Sequence, residues 1–380
     1  MTFKVKTKGQ IEGEKLLVPK LRFKEFNTKY KKYKIGDTLK VKSGKDQKLI
    51  ECKNGKYPIL GTGGQIGTTN SFLYDKPSVL IGRKGTINKP QYMTTPFWTV
   101  DTLFYTDIKE EFNTKYIFYA FQNINWKKYD ESTGVPSLSC KTIEEILYYI
   151  PNKDEQDKIS TFITLLDKKT ELQQRKIEAL KIYKKGLIQK YFESKNGEKI
   201  KISEILEEVI NKTTENNQYD VISSTKDGLF LQSEYFNRSI ASDNNIGYKI
   251  LKKNQIVLSP QNLWMGNINY NNKYEIGMVS PSYKIFNINK NFDKDYISNL
   301  LKTNKAIYYY TINSEQGASI VRRNLNMESF YEINFVIPDI EEQNKKGKII
   351  NGIAQKIEKE EKKYQKLDKF KKGLLQKMFI

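Results

Sequence analysis

Two stretches of this chain space apolar side chains three and four residues apart over some 40 residues each. The first seam reads Ile159, Phe162, Ile163, Leu166, Thr170, Gln173, Ile177, Leu180, Tyr183, Leu187 and Tyr191. The second reads Ile349, Ile350, Ile353, Ile357, Glu360, Tyr364, Leu367, Phe370, Leu374 and Met378. Such steps lay one narrow apolar stripe along a helix. A helix of that length runs roughly 60 Å at 1.5 Å per residue, and a single stripe on it needs a partner. The two helices are therefore expected to pair with each other, antiparallel. Thr170, Gln173 and Glu360 interrupt the seams, either as ordinary imperfection or as register control. Gly186 and Gly373 sit in matching Lys-Lys-Gly-Leu runs, where they allow close approach of another chain or mark a helix end.

The two stretches are also copies of each other. Residues 150–192 align with 337–379 at a constant offset of 187, and 17 of the 43 aligned positions are identical. Each copy opens with Ile-Pro, then carboxylates that suit a helix N-terminus (Asp154 and Glu155, Glu341 and Glu342). Before each helix lies a module of mixed character. In the first, strands are expected at Tyr57–Leu60, Ser78–Ile81 and Thr99–Tyr105, and a helix at Thr114–Asn123. In the second, strands are expected at Tyr219–Ser223, Gln255–Ser259 and Tyr283–Ile288, and a helix near Asp295–Lys302.

Weak likenesses link the modules. KIGDTL at 34–39 answers KISEIL at 201–206, and both VLIGRKGTIN at 79–88 and IVLSPQNLWMGNIN at 256–269 end in Gly-x-Ile-Asn. The fold class expected is α+β with pseudo-twofold symmetry. The boundaries are a poorly ordered lead-in at 1–20, a module at 21–151, a helix at 152–195, a module at 196–338 and a helix at 339–380.

Composition narrows the partner. Among 380 residues the formal net charge is +21. A polyphosphate rewards such an excess, because bound Lys and Arg release condensed counterions. A generic basic surface or a membrane-surface protein would share the charge, but 25 Tyr and 12% aromatic residues favour nucleic acid. Two cysteines without a Cys-x-x-Cys motif, and no histidine, exclude Cys–His metal sites; no cofactor is expected. No signal peptide and no apolar run approaching ~18 residues is seen, so the expectation is a cytoplasmic chain with no membrane partner.

Three segments together resemble the specificity subunit of type I restriction-modification systems. They are VPKLRFKEF at 18–26, YPILGTGGQIGTTNSFLYDKPSVLIGRKGTIN at 57–88, and the Ile-Pro-x-x-x-Glu-Gln helix openings whose helices close on KKGLIQKYF or KKGLLQKMF. The resemblance covers nearly the whole chain. It implies two target-recognition domains that each read one half of a bipartite sequence in double-stranded DNA. The helices would set the unread gap between the halves and dock two modification (methyltransferase) subunits. Restriction (motor-nuclease) subunits would join them, and this chain would be catalytically inert.

The residues agree on inertness. There is no phosphate-loop motif and no Asn- or Asp-Pro-Pro-aromatic tetrapeptide. Gly61-Thr62-Gly63-Gly64 reads as a turn between strands, and Gly82-Arg83-Lys84-Gly85 is followed by strand rather than helix.

Base edges are read by Arg, Lys, Asn, Gln, Ser and Thr on loops and helix ends. The candidates are Lys42, Ser43, Lys45, Gln65, Arg83 and Lys84 in the first module. In the second they are Ser223, Ser224, Lys226, Gln261, Asn262, Arg322 and Arg323. Two other classes of function compete: a basic coiled-coil scaffold or RNA-binding protein, and a self-contained DNA methyltransferase or nuclease.

Overall fold

The computed structural model describes residues 3–5, 18–193, 196–235, 244–316 and 323–380. It resolves into two compact units: residues 1–174 with 362–380, and residues 175–361. The division cuts through both long helices, Lys153–Phe192 and Ile340–Met378. Each unit thus holds one module and a piece of each helix.

The first unit is built on a sheet of β1 (Leu39–Lys42), β2 (Ser78–Gly82), β3 (Gln91–Met93) and β4 (Leu103–Ile108). Its order is β1-β4-β2-β3, antiparallel at every step. Central β2, Ser-Val-Leu-Ile-Gly, is buried throughout. A three-stranded sheet of Tyr57–Gly61, Gly64–Thr69 and Trp98–Thr99 stands beside it. The helix Thr114–Gln122 starts where Asn113 Oδ1 accepts the Tyr116 amide at 2.8 Å, and it buries Tyr116, Ile117, Tyr119 and Phe121.

Both long helices finish this core. The first contributes Ile159 and Ile163; the second contributes Leu374, Leu375, Met378 and Phe379. Phe379 packs on Tyr116 with centroids 5.2 Å apart. Each buried aliphatic or Phe side chain is worth about 1.5–3 kcal/mol. Near this end Lys371 meets Asp167 at 2.5 Å, so within this unit the helix pieces run antiparallel.

The second unit repeats the plan with β5 (Leu206–Val209), β6 (Gln255–Leu258), β7 (Ile268–Tyr270) and β8 (Lys284–Ile288). The order β5-β8-β6-β7 is again antiparallel. Two helices follow, Lys294–Leu300 and Asn304–Ile312. Phe192 from the first long helix and Ile350 from the second enter its core beside Phe286, Tyr296 and Phe330. Here too the pieces are antiparallel: Lys176 meets Glu360 at 3.0 Å and Lys346 lies over the Tyr191 ring.

Several sequence expectations need correction. The strand expected at Thr99–Tyr105 breaks at a turn, closed by Leu103 N–H to Val100 O at 2.9 Å. The strand expected from Tyr219 starts at Ile222 and folds into a hairpin with Gly228–Leu231. Part of the expected lead-in, Phe3–Val5, pairs with Leu21–Phe23. Neither Gly186 nor Gly373 ends a helix, since the helices continue to Phe192 and Met378. Tyr183, Phe370 and Ile349 were expected in the seams, yet they are 58%, 53% and 38% exposed, because the stripe drifts around a helix this long. Ile177, Ile357, Ile350 and Leu374 are buried; Phe162, Leu166, Leu180, Leu187, Ile353, Tyr364 and Leu367 are half-buried.

Candidate nucleic-acid interface

Because β1 and β2 are both antiparallel to β4, their C-terminal ends lie at one edge of the sheet. The chain leaving them carries Lys42 and Ser43 on one side and Arg83 and Lys84 on the other. Ser43 is exposed, near Cys140. Arg83 is exposed and donates to the Asp101 carbonyl at 3.3 Å. Lys84 is exposed and its backbone bridges to Ser137.

Lys45 is exposed; its N–H donates to Thr99 O. Gln65, also exposed, stands in the neighbouring hairpin and donates to Gly67 O at 3.3 Å. Lys42 is partly committed: its ammonium meets Asp107 at 2.8 Å, and Tyr74 Oη donates to the same carboxylate at 2.7 Å. Those two hydrogen bonds hold the Asp107 carboxyl below its usual range.

Sequence reading missed the loop beside Arg83. Asp130 Oδ1 accepts from the Ser132 amide and hydroxyl and the Ser137 amide, all within 3.0 Å. Leu138 N–H then donates to Arg83 O. Ser132, Gly134 and Pro136 were the visible signal, since these residue types make built turns.

In the second unit the chain leaving β6 occupies the corresponding edge. Gln261 is exposed, and its carbonyl accepts the Arg323 amide at 3.2 Å. Asn262 is half-buried and its Nδ2 lies 3.4 Å from Ser259 Oγ. Arg323 donates to Thr311 O at 3.1 Å, and its guanidinium lies 5.5 Å from the Trp264 ring centroid. The indole N–H of Trp264 is buried without a hydrogen-bond partner. Arg322 lies outside the described residues.

The hairpin at Ile222–Leu231 reaches the same edge. Lys226 is exposed at its tip and Ser223 is half-buried. Ser224 is a correction: it is 4% exposed. Its hydroxyl donates to Asn267 Oδ1 at 2.7 Å and accepts from Asn269 Nδ2 at 2.8 Å, so it holds the hairpin and is not placed to meet a base. Asn269 also donates to Thr225 O and accepts from the Lys302 ammonium at 2.6 Å. Nothing in the local sequence announced this network, because its members come from three separate segments.

Among the described residues no acidic, Cys or His cluster could hold a metal ion, and no helix is long and apolar enough to cross a membrane. The two edges offer exposed or half-buried Lys, Arg, Gln, Asn and Ser, suited to hydrogen bonding and to neutralising phosphate.

Residues 27–182 match the family model for the type I restriction modification DNA specificity domain. A Mycoplasma pneumoniae protein named as a type I specificity subunit is 26% identical over 147 residues, 37% of this chain. The chain spans 43% of the length of that curated relative. The crystal structure of a type I restriction-modification S subunit from M. genitalium superposes with a TM-score of 0.65 at 18% identity. That match covers 96% of this chain and 99% of the other. A chain from a structural study of assembly and conformational transition in a type I system superposes at 0.53 with 9% identity, covering 92% and 97%. The two structural likenesses are likenesses of fold.

Proposed function

We propose that this chain, whose residues 27–182 match the family model for the type I restriction modification DNA specificity domain, is the sequence-reading subunit of such a complex. The observation that carries this is the repetition of one sheet order, β1-β4-β2-β3 and β5-β8-β6-β7, with unlike polar residues at the same edge of each. A shared scaffold with two different edges suits a target written in two unlike halves.

Each edge enters a groove of double-stranded DNA. In the first module Ser43, Gln65 and Arg83 face base edges while Lys42, Lys45 and Lys84 face phosphates. In the second, Ser223, Gln261, Asn262 and Arg323 read bases and Lys226 takes a phosphate. Arg is suited to bidentate contact with guanine, and Asn or Gln to adenine. The paired helices fix the unread gap, so the two halves are recognised only at one spacing. Two modification subunits dock on the helices and supply methyl transfer, and restriction subunits join that assembly; this chain performs no chemistry itself.

Single-molecule methylome sequencing of the host, with and without the gene, tests the reading. Loss of one bipartite methylated motif, two short blocks at a fixed gap, is the expected result. A methylome unchanged while the neighbouring methyltransferase gene is expressed would reject it.

A further inference from the structure

We propose that a cavity in the second unit, between the end of the first long helix and the start of the helix Asn304–Ile312, is a phosphate site that grips the backbone of bound duplex. The proposal rests on the DNA-reading function and adds a place where sequence-independent affinity resides. The cavity measures about 500 Å³ and is lined by Lys181, Lys184, Lys185, Lys302 and Lys305, with Glu193 as the one acidic side chain.

The internal repeat supplies the control. Lys184 and Lys185 correspond to Lys371 and Lys372 at the offset of 187. In the first unit both are answered by acids: Lys371 meets Asp167 at 2.5 Å and Lys372 meets Asp368 at 2.7 Å. In the second unit the position of Asp167 is Ala354 and that of Asp368 is Lys181. Four side chains that sum to zero in one unit therefore sum to +3 in the other, from two Lys and two Asp against three Lys and one Ala.

The surroundings offset part of that charge. Lys181 pairs with Glu361 at 2.8 Å. Lys184 makes no ion pair among the described residues, and burial pushes its ammonium below the usual lysine range. Burial lowers Lys302 as well; the charge on Lys184 adds to the effect and that of Asp227 opposes it. Two neighbouring ammoniums are unfavourable until an anion joins them. The repeat keeps the neutralised version in one unit and the uncompensated version in the other.

The site is continuous with the reading edge. Lys302 donates to Asn269 Oδ1, and Asn269 Nδ2 donates to Thr225 O at 2.7 Å, next to the tip of the hairpin that carries Lys226. Five lysines in its lining suit a phosphate group rather than a base. A duplex read by the hairpin would therefore present its sugar–phosphate strand to these lysines.

The test compares two double variants of the full-length chain. Binding to a long duplex of arbitrary sequence is measured across a salt series. With Lys184→Gln and Lys185→Gln, the slope of log K against log salt falls in magnitude by about 1 to 2, at ~0.9 per lost phosphate. With Lys371→Gln and Lys372→Gln it stays at the wild-type value. Lys and Gln have similar helix propensity, so both variants keep their helices. Equal slopes for the two variants overturn the proposal. A second arm uses tripolyphosphate without DNA: a thermal shift lost only in the Lys184 variant, beside equal duplex slopes, assigns the cavity to a free polyphosphate and also overturns it. The methylome experiment remains independent. An unchanged methylome with a reduced slope rejects the specificity reading and keeps the phosphate site.

Discussion

Gln156 and Gln343, equivalent in the repeat, make the same two hydrogen bonds. Each Nε2 donates back to the proline carbonyl that opens its helix, Pro151 at 3.0 Å and Pro338 at 2.8 Å. Each Oε1 accepts the amide of a helix N-cap residue, Asn113 at 2.9 Å and Asp293 at 3.1 Å. Each N-cap then uses its side chain to hold the amide of Tyr116 or Tyr296. One buried amide thus fastens the start of a long helix to the module before it.

Gln156→Ala or Gln343→Ala leaves a half-buried N–H without a partner. The expected cost is about 1–3 kcal/mol for each, read as a lower denaturant midpoint of the full chain. Gln→Glu at either site sets a carboxylate oxygen against the proline carbonyl and buries a charge, and is expected to cost at least as much as Ala.

The Arg22–Glu155 pair predicts an asymmetry between the units. Arg22 meets Glu155 at 2.7 Å with both side chains almost fully buried. The repeat counterpart, Glu342, is 42% exposed and pairs with Lys346. Glu155→Ala is expected to cost about 3–5 kcal/mol, because it strands a buried guanidinium. Glu342→Ala should cost at most about 1 kcal/mol. Paired unfolding curves check the difference.

Asp107 gives a pH dependence of known sign. Its folded pKa lies below the ordinary aspartate value of 3.8, chiefly through the Lys42 and Tyr74 hydrogen bonds. A depressed carboxylate stabilises the fold above the unfolded pKa, and the contribution is lost as pH falls through the folded value. The side chain is 39% exposed, so the effect is small, about 0.5 kcal/mol. Asp107→Asn is expected to lower stability at pH 7, with the gap to wild type closing below about pH 4.

At the reading edge, Arg323→Ala is expected to weaken binding to the cognate target by about 1–3 kcal/mol and to relax preference at one base pair. Lys226→Ala should weaken cognate and random duplex alike and reduce the salt slope by about 1. Competition binding against single-base variants separates the two outcomes.

Much of this architecture was legible because it rests on local signals. The three-and-four spacing marked both helices, and the constant offset marked the repeat. What escaped depended on partners distant in sequence. Glu155 read as a carboxylate favouring a helix dipole, whereas Arg22, 133 residues away, fixes its role. Ser224 read as a loop hydroxyl free for DNA, but Asn267 and Asn269 consume it. Trp264 carried no signal until Arg323 was placed over it. The Lys-Lys-Gly-Leu runs looked equivalent, and only the neighbours of their lysines tell them apart.

Leu374, Leu375, Met378 and Phe379 complete the core that Phe23, Ile35 and Leu39 begin. Synthesis proceeds from the N-terminus, so the first module emerges from the ribosome with one wall missing and receives it from residues that follow only after the second module has been made. Loss of residues 374–379 alone would expose the apolar interior of the module translated first.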